Sequence, residues 1–196
     1  MAKGTIEWGA GNYYHIYNRG AHRQSIVREA TNYEFILKLM KKYMAELSVT
    51  VIAYCLMPNH YHWLVRQDGN LRAGLLAQRV FNSYSKAFNN RYDHSGTLFE
   101  GPYKPILVKD DSYLRHLCIY IHAQPVKDNI TPFLDMWDYS NYHEWMGIRN
   151  GTLVDHDFID NYFPNRGQYR RHLMEYLKSR NLPPKLDAYL RGLEDN

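Results

Sequence analysis

Only two cysteines, Cys55 and Cys118, occur among the 196 residues. Two thiols in a chain of this length exclude a disulfide framework and read as small buried groups in a reducing cytoplasm. No apolar run approaches the roughly 20 residues that a membrane span requires. The N-terminal stretch "MAKGTIEWGAG" has no apolar core of the kind a secretory signal needs. Internal repeats and low-complexity tracts are also missing. With 45% hydrophobic and 22% charged residues, the chain can bury a real core, which argues against wholesale disorder. Its length suits one domain of ordinary size with some chain to spare.

Charge and tyrosine are what the sequence has in excess. The formal net charge is +4, compatible with a polyanionic partner without demanding one. Its distribution is uneven. Residues 131–160 hold six acids and one base, whereas residues 166–191 hold seven bases and two acids. The basic segment either grips phosphates or packs on the acidic stretch, and the sequence leaves both open. Eighteen tyrosines are present, many beside cations, as in "YYHIYNRG", "FNSYSKAFNNRYDH" and "GQYRRHLMEY". Rings interleaved with cations suit stacking on unpaired bases. Tyrosines that line a half-buried sheet give the same pattern.

Periodicity supplies the architecture. "YYHIYNRG" alternates and stops at Gly20, which predicts a first strand. A helix should open at Thr31, with Glu34 reaching back in a capping box. "VTVIAYCLM" predicts a second strand, Pro58-Asn59 a turn, and "HYHWLVRQ" a third strand antiparallel to the second. Asn70 is placed to cap a long helix with the stripe Leu71, Leu75, Leu76, Val80, Tyr84 and Phe88. "YKPILV" predicts a fourth strand. "DDS" caps a further helix that should end near Pro125. The expected fold is α+β: a ferredoxin-like β-α-β-β-α-β antiparallel sheet with helices on one face, plus a C-terminal helical extension. Short helices near 139–147 and 167–180 and a last amphipathic turn make up that extension.

Two features carry chemistry. In "MPNHYHWLV", His60 and His62 sit on alternate strand positions and so point to one face, where they can converge on an ion or a phosphate. Two hydrogen-bonded histidines on a sheet surface would give the same pair. On the helix at 112–124, Leu114, Leu117, Cys118 and Ile121 form the core face, and Tyr113, Tyr120 and Gln124 fall along its flank. Tyr120 and Gln124 are neighbours at i, i+4. Two imidazoles and an amide oxygen make an incomplete shell for a divalent cation, open to water or phosphate. Alone, Tyr120 also reads as an ordinary boundary tyrosine.

"YCLMPNHYHWLV" and "YLRHLCIYIHAQPV", with "YNRG" and "GTLFEGPYK", resemble the single-tyrosine HUH transposases, where HUH means His–hydrophobe–His. They are most similar to REP-associated tyrosine transposases and small insertion-sequence transposases. The resemblance spans roughly residues 12–130. It implies a catalytic domain over residues 1–130 and a partly basic helical extension over 131–196. It also implies that His60 and His62 bind Mg²⁺ or Mn²⁺, that Tyr120 is the nucleophile, and that Gln124 stands where the family usually has a metal-completing asparagine. Pro102 in "GPYK" replaces a more usual cation, and Lys104 remains. The implied substrate is single-stranded DNA with a stem-loop, held by a monomer or homodimer. Arg19, Arg79, Lys86, Arg91, Lys104, Arg170 and Arg171 are candidate phosphate contacts, and His116 is a candidate base. A hairpin-binding protein without the chemistry, and a hydrolase in which water attacks, are the competing readings.

Overall fold

The structure, a computed structural model, describes residues 6–194. The start of the N-terminal stretch, residues 1–5, lies outside the described residues. Four strands form one antiparallel sheet in the order β2-β3-β1-β4: β1 Tyr13–Arg19, β2 Val49–Leu56, β3 His60–Gln67 and β4 Lys104–Val108. With the connecting helices α1 Ala30–Leu47 and α2 Gly74–Tyr92, this is the ferredoxin-like plan that the periodicity predicts.

The helix ends differ from expectation for local reasons. In α1 the reciprocal cap is made by Glu29 and Asn32, two residues earlier than Thr31 and Glu34. The Asn32 carboxamide oxygen accepts from the backbone N–H groups of Arg28 and Glu29 at 2.9 and 3.4 Å. Asn70 does not cap α2. That helix starts at Gly74 after the Gln67 side chain has accepted the Ala73 N–H at 3.1 Å, and Leu71 is left exposed outside it. A third helix, α3, spans Asp111–Lys127 and is capped by Asp110, whose carboxylate accepts from Tyr113 N–H at 2.7 Å. It runs through Pro125 instead of stopping there. Proline removes one N–H, and the next turn is closed by Asp128 N–H donating to the Gln124 carbonyl at 2.9 Å.

The sheet separates two cores. Helices α1 and α2 cover one face, where Ile36, Met40, Val80 and Phe81 pack on Tyr14, Ile16, Tyr61 and Trp63. Helix α3 covers the other face with Leu117, Cys118 and Ile121 against Tyr17, Cys55 and Leu64. The remaining chain adds α4 Tyr142–Trp145, α5 His156–Tyr162, α6 Arg166–Ser179 and α7 Pro184–Glu194. Tyr169, Leu173, Leu186 and Leu190 from α6 and α7 join the α3 core. The sequence reading missed α5, which is capped by the Asp155 carboxylate accepting from Phe158 N–H at 2.9 Å. Within the acidic stretch, Asp155 pairs with Arg66 of β3 and Glu144 with Arg149. No helix among the described residues is long and apolar enough to cross a membrane.

Asn141 joins the chain after α3 to the sheet. Fully buried, it donates to the carbonyls of Ile52 and Leu153 at 2.8 and 3.0 Å and accepts from Tyr54 N–H at 2.9 Å. Asn141→Ala orphans these groups in the interior. It should lower stability by about 2–4 kcal/mol in urea denaturation, whereas exposed Asn90→Ala should change it by less than about 0.5 kcal/mol.

Candidate active site

Strand register assembles the site. Lys104 of β4, Tyr17 of β1, His62 of β3 and Cys55 of β2 lie opposite one another across the sheet, so their side chains share one face. His60 and His15 lie on the same face by alternation. The turn before β3 is held by Gly20, whose N–H donates to the Asn59 carbonyl at 2.7 Å. A side chain at Gly20 would collide with the Gln24 carbonyl, so only glycine admits this approach.

The His60 and His62 rings stand 5.2 Å apart and nearly perpendicular, at 86°. His60 is half-buried, and its Nδ1–H donates to the Asn59 carboxamide oxygen at 2.8 Å. Its Nε2 is directed toward Asp128, 3.9 Å away at the end of α3. His62 is wholly buried. Its Nδ1 lies 3.0 Å from Nε2 of His15, and its Nε2 has no hydrogen-bond partner. Burial, followed by the neighbouring charges of His60, His15 and Lys127, holds the His62 imidazole well below its ordinary pKa.

Helix α3 lies over this pair. The Tyr120 ring meets His62 edge-on, with centroids 5.2 Å apart. One turn on, Gln124 donates from Nε2 to the Tyr120 carbonyl at 3.2 Å. The Gln124 Oε1 atom is buried and has no partner. Lys127 places its ammonium 5.1 Å from the Tyr120 ring centroid. Tyr120 is only 2% exposed, and Tyr176 of α6 packs against it at 6.4 Å between centroids. Thus His62 and Tyr120 meet, Gln124 stands one turn further along α3, and His60 lies beside His62.

Buried polar atoms without partners are rare and call for an explanation. Four occur among the described residues: His62 Nε2, Gln124 Oε1, Trp63 Nε1 and Tyr113 Oη. Two of them, His62 Nε2 and Gln124 Oε1, belong to residues predicted to hold a cation. A divalent ion fits this donor set chemically: the amide oxygen suits Mg²⁺ or Mn²⁺, and the imidazole nitrogens favour a transition ion such as Mn²⁺ over Mg²⁺. No group of three His, Cys, Asp or Glu able to hold a metal occurs among the described residues, so such a site rests on the two histidines and the amide.

The candidate phosphate contacts are dispersed. Lys104 is half-buried on the histidine face of the sheet. Arg19 turns inward and forks onto Glu100 at 2.8 and 3.2 Å, tying β1 to the loop before β4. On α2, Arg79 pairs with Glu46, Arg91 pairs with Glu29, and Lys86 is exposed. Arg170 and Arg171 are exposed on α6. His116 donates to the Ser112 carbonyl at 2.7 Å and lines a cleft of about 610 Å³ between α3 and α6. A larger groove, about 1000 Å³, lies on the opposite sheet face beside Phe81, Phe99 and Tyr103. The sequence reading missed His15, Lys127 and Asp128. The "HIY" alternation that puts His15 two positions before Tyr17 was the available signal.

Residues 10–124 match the sequence family described as IS200-like transposase. No curated protein matches the chain significantly. Among solved structures, a REP-associated tyrosine transposase bound to a REP hairpin superposes with a TM-score of 0.65 at 15% identity. That match covers 79% of this chain and 94% of the other. At this identity the likeness is one of fold. A Deinococcus radiodurans R1 protein assigned as a transposase aligns with a TM-score of 0.42 at 11% identity, covering 59% of this chain and 91% of the other.

The buried imidazoles have a measurable consequence. Burial lowers His15 from 6.5 to about 3 and His122 from 6.5 to about 4, so both are neutral when folded and take up protons on unfolding. The stability they hold is complete above pH 6.5 and is lost as the pH falls toward 4. Urea denaturation between pH 7 and 5 should show a total loss of about 2 kcal/mol for each such histidine, steepening toward about 1.4 kcal/mol per pH unit only below about pH 6. His122→Gln should reduce that slope by one histidine's share.

Proposed function

The chain belongs to the IS200-like transposase family, and from that premise we propose that it cuts and rejoins single-stranded DNA beside a stem-loop, with Tyr120 as nucleophile. The observation that carries this reading is the contact of the Tyr120 and His62 rings in a region where His62 Nε2 and, one turn on along α3, Gln124 Oε1 are buried without partners. His60, His62 and Gln124 would hold a divalent ion, Mg²⁺ or Mn²⁺. When bound, that ion supplies positive charge that offsets the phosphodiester oxygens and favours departure of the 3′ oxygen.

The chain's own residues supply the rest. The Tyr120 oxygen attacks phosphorus and forms a 5′-phosphotyrosine bond. The bond from phosphorus to the 3′ oxygen breaks, and that oxygen leaves as a 3′ hydroxyl once protonated. A second 3′ hydroxyl reverses the step, so bond energy is retained for strand joining. An ordinary phenol loses its proton only near pH 10. The Lys127 ammonium stands 5.1 Å from the Tyr120 ring centroid, where its charge can attract a phosphate brought to the phenol. Lys104, on the same sheet face, is suited to hold a phosphate of the bound strand. The stem-loop substrate is supported by the hairpin carried by the structural relative.

One observation favours a second reading. Tyr120 is 2% exposed beneath Tyr176, so attack requires the cover over the phenol to move. A hairpin-binding protein without the chemistry needs no such movement. Hairpin DNA with an unpaired flank, incubated with the protein and Mn²⁺, should give a DNA-linked band on a denaturing gel. Tyr120→Phe should give none, and His62→Ala should lower the yield at least about 100-fold. Adducts from Tyr120→Phe would reject this nucleophile. Tight hairpin binding with no adduct under any metal would favour the second reading.

A further inference from the structure

The two ring nitrogens of His62 have different surroundings. Nε2 is buried without a partner, whereas Nδ1 lies 3.0 Å from Nε2 of His15. The two rings are nearly parallel, at 5°. Ring nitrogens at that distance share one proton. On its far side, His15 Nδ1 lies 3.2 Å from the hydroxyl of Tyr189 on α7. His15 is wholly buried, so water does not replace either contact.

A chain with one proton per link can run in two directions. In the first, His62 Nδ1–H donates to His15 Nε2, and His15 Nδ1–H donates to the Tyr189 oxygen. The His62 Nε2 atom then keeps its lone pair. In the second, Tyr189 O–H donates to His15, His15 Nε2–H donates to His62, and His62 Nε2 carries a proton. That N–H would be buried with nothing to accept it. Orphaned buried N–H groups are among the rarest defects in folded proteins, rarer than under-used acceptors. The first direction therefore prevails.

We infer that His15 is a positioning residue for His62: it accepts the Nδ1 proton, fixes the tautomer with its lone pair on Nε2, and is itself anchored by Tyr189 of α7. The inference rests on His62 being a metal ligand. His60 has the same arrangement on a smaller scale, with its Nδ1–H donated to Asn59. Hydrogen bonds of this kind behind a ligating histidine typically change metal affinity by 10–100-fold. Through Tyr189, the last helix of the chain reaches the ligand without touching it.

The test is Mn²⁺ binding to the full chain without DNA, followed by the electron paramagnetic resonance signal of free Mn²⁺. His15→Phe keeps a planar aromatic ring, slightly larger than imidazole, and removes the acceptor, and should weaken Mn²⁺ binding about 10–100-fold. His15→Gln restores an acceptor near the lost Nε2 and should recover most of that affinity. Long-range ¹H–¹⁵N spectra of the metal-free parent should show His62 as the Nδ1–H tautomer, a measurement that needs no folded variant. Parent-like Mn²⁺ affinity in His15→Phe, with binding lost in His62→Ala, would overturn the inference alone. So would an Nε2–H tautomer at His62. If His62→Ala also binds Mn²⁺ like the parent, the ligand assignment falls and this inference falls with it.

Discussion

Antiparallel pairing of β1 with β3 is the constraint from which the site follows. The register that sets Tyr17 opposite His62 also sets Arg19 opposite His60 and His15 opposite Leu64. Slipping that register by one residue would send both histidines of β3 into the core beneath α1 and α2, where Tyr61 and Trp63 now sit. Burial of those two large rings against Phe81 therefore holds the imidazoles on the other face. At roughly 25 cal/mol per Å² of apolar area removed from water, rings of this size anchor the register far more firmly than any contact among the histidines. The aromatic core on one face positions the polar chemistry on the other.

That other face contains two kinds of buried histidine. His122 is completed on both sides: Nε2–H donates to Asn141 at 2.9 Å, and Nδ1 meets the Tyr169 hydroxyl at 2.6 Å. It ties α3 to α6 and to the segment before α4, and its bonds leave nothing for a ligand. His62 is completed on one side only. Both rings are neutral for the same reason, burial, so charge does not distinguish them. The unfilled lone pair does. A fully paired buried polar group stabilises a unique fold, and an unpaired one costs stability unless something binds it.

The parts of this arrangement that were legible in the sequence are those governed by strict alternation. Strand β3 spans His60–Gln67, as its pattern dictates, and the shared face of His60 and His62 follows from a period of two. Helical spacing sets Tyr120 and Gln124 one turn apart on one side of α3, but that side is buried in the core and is not the open flank that the spacing suggests. Helix ends were less legible, because Asn32 and Gln67 cap through side chains whose partners depend on how the chain turns before the helix. Pro125 misled for a related reason: a proline near a helix end removes a single hydrogen bond, which α3 tolerates. His15 was hidden because its contact with His62 spans 47 residues and depends on a diagonal across two strands. The role of α7 was hidden further, since Tyr189 lies 174 residues from His15.

The C-terminal helices connect these observations. Leu186, Leu190 and Leu193 bury one face of α7 in the same core that receives α3. This packing brings Tyr189 to His15, while Tyr176 of α6 covers Tyr120. The same segment therefore touches both halves of the proposed chemistry, the imidazole side and the phenol side. Uncovering Tyr120 by moving α6 alone leaves the Tyr189 contact in place and the His62 lone pair directed as before. Moving α6 and α7 together removes the anchor of His15 as it frees the phenol. One C-terminal packing arrangement therefore both covers the Tyr120 phenol through Tyr176 and reaches the His62 imidazole through Tyr189 and His15.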